Sequence, residues 1–261
     1  MIEVLFMLDR QKILDFIKEE GVVTSKEVAD KFSISESTAR RALSQLDAAH
    51  KIKRRHGVAF ISDSAPTLMK ASGDYRIHVN YDLKHQVALK AASLIQDNQT
   101  LILLTGSAVY HLAHVIRDKH ITVITNSMLV FQELQHCSNI ELIILGGYYN
   151  RSEGETSGYI TNSSLSYYRS DYLFMGTCGF DEYSGFSHSS YSIDIFRACL
   201  QSCRYACVLA DSTKYNKTTA SISAKPSDIS YLFCDRGLSP SVGERFKELY
   251  NVEVLYPDVS D

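Results

Sequence analysis

The 261-residue sequence has no apolar run near the roughly twenty residues that cross a bilayer, which excludes a long membrane-spanning helix. Met1 to Leu8 is apolar, but it has neither a basic start nor a small-residue cleavage site, and this argues against a secretory signal. The chain has six cysteines and no Cys-x-x-Cys pair. Cys199, Cys203 and Cys207 recur every four residues and could share a helix face, yet no fourth metal ligand accompanies them. They read as buried small apolar side chains, so no metal and no cofactor is expected. Unpaired thiols point to a reducing, cytoplasmic compartment. No internal repeat or low-complexity tract is present. Net charge is also scarce: the formal value of −3 does not by itself suggest a nucleic-acid partner.

The distribution of charge does. Between Arg40 and Arg55 stand Arg40, Arg41, Lys51, Lys53, Arg54 and Arg55, against one acid, Asp47. The net negative charge therefore lies elsewhere, as in a basic reading head on an acidic body. Thr24 and Glu27 have the spacing of a capping box, in which each side chain satisfies an orphan backbone N–H. Val28, Ala29 and Phe32 follow at helical spacing. Ser33-Ile34-Ser35 breaks that helix, and Ser35 is a natural cap for a second one. There, Ala39, Ala42, Leu43 and Leu46 form one apolar stripe. Ser37, Arg41 and Ser44 lie opposite it, flanked by Thr38, Arg40 and Gln45. Such a face suits a major groove, where Arg reads guanine, Gln reads adenine, and hydroxyls meet bases or phosphates. Lys53, Arg54, Arg55 and His56 then introduce a basic hairpin around His56-Gly57, a wing whose cations would neutralise phosphates. The predicted DNA-binding set is Ser35, Ser37, Thr38, Arg40, Arg41, Ser44, Gln45, Lys53, Arg54, Arg55 and His56.

The first helix is expected over residues 9–20, with Ile13, Leu14 and Ile17 inward and Gly21 as its stop. Residues 62–82 lack an apolar period and contain Pro, Gly and Ser, so they read as a linker. Beyond residue 84, helix and strand alternate. Strands are expected at 100–104, 121–125, 140–145, 172–175, 206–210, 231–234 and 252–255. Helices are expected at 84–95, 107–116, 128–135, 191–203 and 242–250. Continuous apolar strands between amphipathic helices imply a mostly parallel sheet covered on both faces. The fold class is α/β: a winged helix-turn-helix over 1–62, a linker over 63–83, and an α/β effector-binding and oligomerisation domain over 84–261.

Ligands of such sheets sit at the carboxyl ends of strands. Polar loops fall there: Thr105-Gly106-Ser107-Ala108, Thr125-Asn126-Ser127, Gly146-Gly147 with Tyr148 to Arg151, and Asp211-Ser212-Thr213-Lys214. The first opens a helix, so its N–H groups suit a phosphate, and Lys214 offers a cation. The predicted effector-binding set is Gly106, Ser107, Asn126, Gly146, Gly147, Asp211 and Lys214, holding a small anionic ligand.

Thr38-Ala39-Arg40-Arg41-Ala42-Leu43 and Lys53-Arg54-Arg55-His56-Gly57 resemble the DeoR-type transcriptional regulators, whose usual patterns are Thr-Ile-Arg-Arg-Asp-Leu and Arg-x-His-Gly-Gly-Ala. This chain departs at Ala39, Ala42 and Val58. The second half resembles the effector domain of the same family. The matching stretches are residues 121–127, Gly146-Gly147, Gly158, Asp171 with Gly176 and Gly179, and Asp211-Ser212 with Lys214. The family's Asp-x-Gly-Thr-Thr reads Leu104-Thr105-Gly106-Ser107-Ala108 here, and its Asn-Glu ahead of a Lys reads Ser190-Tyr191 ahead of Arg197. Relatives of this type begin close to Met7, and the first six residues read as an extension or an upstream start codon. The resemblance implies a sensor domain related to sugar-phosphate isomerases and a phosphorylated sugar as effector. The expected function is a repressor of a carbohydrate-metabolism operon that binds double-stranded DNA as a homo-oligomer, a dimer or tetramer. The alternative is an isomerase-like enzyme with an accessory helix-turn-helix. Isomerisation needs a base beside a bound carbonyl, and acids at the strand ends are few.

Overall fold

The computed structural model describes residues 11–18, 20, 22–55, 58–60, 73–188 and 193–258; for Val22, Arg55, Val58 and residues 73–75 it describes the backbone alone. Contacts divide the chain into two units, Met1–Asn80 and Tyr81–Asp261.

In the first unit, helix α1 (residues 11–18) buries Ile13, Leu14 and Ile17, as its spacing predicts. Helix α2 (Ser25–Phe32) starts on the expected capping box: Glu27 N donates to Thr24 Oγ1 at 3.1 Å and Thr24 N to Glu27 Oε2 at 2.6 Å. It ends at Ser33, which takes the left-handed conformation at φ 52°. Ser35 caps helix α3 (Glu36–Ala48), whose Ala39, Ala42, Leu43 and Leu46 are buried. Together with Val23, Val28, Ala29, Ile52 and Ala59 they make one small core, and Ile34 packs against it from the turn. Strands β2 (Lys53–Arg55) and β3 (Val58–Phe60) pair antiparallel as the wing. A third strand, β1 (Val22–Thr24), pairs with β3 and was not foreseen. With three residues it is too short for an alternation to show.

Residues 63–72 of the expected linker lie outside the described residues. The rest of it is ordered differently from expectation: helix α4 (Gly73–His78) occupies one part, and helix α5 (Tyr81–Ala92) starts three residues before the predicted Lys84. Six residues are under two turns, too few for a period to read, and among the described side chains of α4 the buried apolar one is Ile77.

The second unit is built on seven strands: β4 (Thr100–Leu103), β5 (Ile121–Thr125), β6 (Ile140–Ile144), β9 (Ser170–Gly176), β12 (Cys203–Ala210), β14 (Tyr231–Cys234) and β15 (Glu253–Leu255). Their order is β15-β14-β12-β9-β4-β5-β6, and every pairing is parallel. Leu101 and Leu103 enter one core and Ile102 and Leu104 the other, so both faces are buried. The first face is covered by α5, α6 (Ser107–Val115) and α7 (Met128–Leu134); the second by α9 (Ile193–Ser202) and α10 (Pro240–Tyr250). Full burial of such a Leu or Ile side chain contributes about 1.5–3 kcal/mol.

Between these elements lie short features that no apolar period in the sequence marks. Strands β7 (Tyr148–Asn150) and β8 (Glu155–Ser157) form a hairpin, followed by α8 (Tyr159–Ser164). Strands β10 (Gly179–Asp181), β11 (Gly185–His188) and β13 (Ser221–Ala224) form a small antiparallel sheet. The cysteine spacing is corrected as well. Helix α9 ends at Ser202 and Cys203 opens β12, so Cys199, Cys203 and Cys207 do not share a helix. Burial pushes the Cys203 thiol up to about 11 and raises those of Cys199 and Cys207 further. Among the described residues no cluster of three or more His, Cys, Asp or Glu is set to hold a metal, and no helix is long and apolar enough to cross a membrane.

Candidate DNA-reading head and effector site

The face of α3 opposite its buried stripe is open. Ser35, Ser37, Arg40, Arg41, Ser44 and Gln45 are exposed and Thr38 is half-buried. Lys53 is exposed and Arg54 half-buried on the adjoining wing. Arg55 gives β2 its backbone; its side chain lies outside the description, and His56 outside the described residues.

Several of these side chains are already bonded to one another. Ser35 Oγ accepts from Thr38 N at 3.2 Å and lies 2.8 Å from both the Ser37 and Thr38 hydroxyls. Arg54 Nη1 donates to Ser44 Oγ at 2.5 Å, and Ser44 Oγ donates to the Arg40 carbonyl at 2.8 Å. The wing is thereby tied to the third turn of α3. At the other end, Arg40 Nη2 donates to Glu36 Oε1 at 2.6 Å, and the same oxygen accepts from Ser25 Oγ at 3.1 Å. The hydrogen bond from Arg40, then that from Ser25, hold the Glu36 carboxyl below the usual range. Glu36 was not among the predicted residues. An acid four residues before an Arg was the available signal.

The second candidate site follows from strand order. Strands after β4 run to one side and β9 starts the other, so the order reverses between β4 and β9. Ligands of open parallel sheets bind at such a reversal, outside the carboxyl ends. There Gly106 faces Gly176: a Cβ on Gly106 would lie 3.4 Å from the Gly176 Cα. Gly106 precedes α6 and makes no side-chain cap, so the first N–H groups of that helix have no hydroxyl or carboxylate of Gly106 to accept them. Thr177 and Cys178, at the end of β9, are half-buried beside it in sequence.

Asn126 does different work from that expected. It is 1% exposed, its Oδ1 accepts from Thr105 N at 3.2 Å, and its Nδ2 donates to the Thr156 carbonyl at 3.0 Å and to Glu155 Oε2 at 3.3 Å. With both donors spent, it is a clip between the ends of β4 and β5 and the β7–β8 hairpin. The turn of that hairpin returns over the strand ends: Met128 N donates to the Gly154 carbonyl at 2.9 Å and Thr105 Oγ1 to that of Glu153 at 3.4 Å.

Gly146 and Gly147 are exposed after β6, pinned by Thr161 Oγ1 donating to the Gly146 carbonyl at 2.7 Å. Asp211 and Lys214 follow β12. Strands lie about 4.8 Å apart, so the ends of β6 and β12, four intervals apart, are separated by about 19 Å. The ends of β6 and β12 each lie two intervals from that of β4, about 10 Å, so Gly106-Ser107 sits midway, with Gly146-Gly147 on one side and Lys214 on the other. Leu104 and Ala108, which replace the family's acid and hydroxyl, are 1% and 6% exposed and serve the cores.

The turn that carries Lys214 is held from two sides by residues the sequence reading passed over. Asp235 is 3% exposed, and its carboxylate accepts from Ser212 N at 2.6 Å, Ser212 Oγ at 2.8 Å and Gly237 N at 2.9 Å. Asp211 also accepts from Thr213 Oγ1. On the far side, Arg245 Nε donates to Glu182 Oε1 at 2.6 Å, while Tyr215 OH donates to Glu182 Oε2 at 3.0 Å. Burial alone would raise the Glu182 carboxyl, but a backbone N–H, Arg245 and Tyr215 outweigh it and hold it low. Asp235 follows an apolar strand as Asp211 does, and that repeated pattern was the readable sign.

A capped helix pair with a polar outer face and a basic wing, joined to a parallel α/β domain, defines a two-domain DNA-binding transcriptional regulator. The chain belongs to the DeoR family: the DeoR-like helix-turn-helix domain matches residues 10–65 and the DeoR C terminal sensor domain residues 79–236. The isomerase-like alternative gives way with that assignment, since the family is one of regulators. The chain is 29% identical over 233 residues to the HTH-type transcriptional regulator YulB of Bacillus subtilis, covering 89% of this chain and 90% of that protein. It is 30% identical over 241 residues to the lactose phosphotransferase system repressor of Lactococcus lactis, covering 91% and 94%. Among solved structures, ribose 5-phosphate isomerase A from Methanocaldococcus jannaschii matches 52% of this chain and 55% of that chain, at 19% identity and a TM-score of 0.40.

Proposed function

We propose that the protein is a repressor of a carbohydrate-metabolism operon, released from DNA by a phosphorylated sugar or similar small anion. The observation that carries this reading is the start of α6 at the strand-order reversal: Gly106 leaves its N–H groups uncapped, and the helix dipole favours a phosphate there. Ser107 adds a hydroxyl, and Lys214, two strands away across β9, supplies counter-charge. Asp211 and Asn126 act by holding the loops. A lactose phosphotransferase system repressor among the relatives supports a sugar-linked signal. The protein acts in the cytoplasm, on double-stranded DNA. Because one module makes a small contact and helix-turn-helix proteins gain affinity by pairing half-sites, it works as a dimer or tetramer assembled through residues 84–261.

Operator binding is measured with and without a panel of sugar phosphates, in wild type and Lys214→Ala. A compound in the panel should lower wild-type affinity, and Lys214→Ala should lose that response while still binding DNA. No shift with any compound, together with no calorimetric binding, would make the domain an oligomerisation unit. Light scattering that shows a monomer with full operator affinity would remove the oligomer.

A further inference from the structure

We propose that Glu36 is a positioning residue for base reading, fixing the Arg40 guanidinium so that it presents its remaining N–H groups to one base pair. This rests on the reading of α3 as the helix that enters the major groove.

The case begins with how the carboxylate is held. Glu36 opens α3, and a lone exposed i,i+4 ion pair there would contribute little order. Its Oε1, however, also accepts from Ser25 Oγ, on a residue 9% exposed at the start of α2. The acid is therefore anchored to a different helix, eleven residues back, and Arg40 Nη2 reaches it at 2.6 Å. The main chain of Arg40 is restrained too, since its carbonyl accepts from Ser44 Oγ, which the wing's Arg54 holds in turn. The guanidinium and the main chain of Arg40 are thus both held before DNA arrives. Arginine has five N–H donors in a rigid fork. One contact to Glu36 leaves enough of them for a bidentate pair with guanine O6 and N7. A free arginine would have to order its long side chain on binding, which costs affinity for the correct base. The pairing also separates two roles. A carboxylate beside the groove repels every phosphate, so it lowers affinity for all DNA while sharpening the choice of base.

The test uses the full chain and a randomised duplex library. Wild-type protein selects a motif, and affinities are then measured for that motif and for a random-sequence duplex at fixed salt. Arg41→Ala should lose preference for the motif, which tests the reading of α3 itself. Glu36→Ala should lower the ratio of specific to random affinity by about five- to tenfold and relax one base position, while binding to the random duplex is unchanged or tighter. Glu36→Gln, whose amide oxygen still accepts, should recover part of the ratio. In an Arg40→Ala background, Glu36→Ala should change the ratio no further. The proposal is overturned if Arg41→Ala loses the motif while Glu36→Ala keeps the wild-type ratio, or if Glu36→Ala lowers the ratio equally without Arg40. If neither variant loses the motif, the assignment of α3 falls, and this proposal with it. Thermal melting checks that each variant is folded.

Discussion

Asp235→Ala isolates what one buried carboxylate does for the Lys214 turn. The side chain accepts three hydrogen bonds, from Ser212 N, Ser212 Oγ and Gly237 N, and all three donors lose their partner at once. A hydrogen bond to a charged group contributes about 1.5–3 kcal/mol. Ser212 is half-buried and Gly237 exposed, so water recovers part of each. The expected loss is therefore below the simple sum, about 2–4 kcal/mol. All tyrosines but Tyr75 lie in residues 81–261 and the chain has no tryptophan, so tyrosine near-ultraviolet circular dichroism reports the second unit. Urea unfolding followed by that signal should show an earlier midpoint at unchanged slope. Asp235→Asn, which keeps one acceptor oxygen, should fall between the two. A loss under about 0.5 kcal/mol, the size of an ordinary surface change, would falsify the claim that this carboxylate organises the turn.

Other predictions follow the same logic. In Gly147→Ala the new Cβ would lie 2.0 Å from Thr161 Oγ1 and 2.7 Å from the Ser157 carbonyl; the overpacking should cost about 1–3 kcal/mol, read by thermal melting. Leu43→Ala, at a fully buried position of α3, should cost about 2–5 kcal/mol and lose DNA binding only as the first unit unfolds. Burial, and then the hydrogen bond to Glu133, push the Tyr110 phenol up to about 12 from 10. The neutral phenol is the form the fold favours, so its contribution is complete below pH 10 and fades between pH 10 and 12. Tyr110→Phe should flatten the stability–pH curve in that window. Arg55→Ala should weaken binding to all DNA alike and reduce the salt slope by about one, whereas Arg41→Ala should cost about 1–3 kcal/mol on specific sites alone.

The long, strongly patterned elements were readable from sequence. Residues 121–125 are an unbroken β-branched run and residues 231–234 an apolar one, each flanked by polar residues, and both strands fall where expected. The stripe of α3 and its Ser35 cap were equally plain. The rest was hidden for identifiable reasons. Strands β7, β8, β10 and β13 have three or four residues each, and β8 is Glu-Thr-Ser, buried without being apolar. No hydrophobic period marks such a strand, because hydrogen bonds to Asn126 and to the Leu145 carbonyl compensate its burial. The site shows the same division. Loops at strand ends could be named from the sequence, but which loops are neighbours depends on strand order. Nothing along the chain places Gly146-Gly147 four strands from Lys214. Hydrogen bonds such as Arg54 to Ser44, or Asp235 to Ser212, join residues that no local pattern connects.

The reversal between β4 and β9 also bears on the order of folding. Thr100 N donates to Asp171 Oδ2 at 2.9 Å across 71 residues of chain, at the head of the β4–β9 pair. Neighbouring β4 and β5 meet across only 22 residues, as in the bond from Thr125 Oγ1 to the Leu103 carbonyl. Closing the longer loop costs about 1 kcal/mol more in chain entropy. The two half-sheets can therefore assemble first, with the seam between them closing late. The crevice that would hold the anion is that seam. On the proposed reading, a ribosome-bound chain that has not yet emitted β9 would have no place for the signal, and a ligand seated in the finished seam should slow unfolding rather than hasten folding.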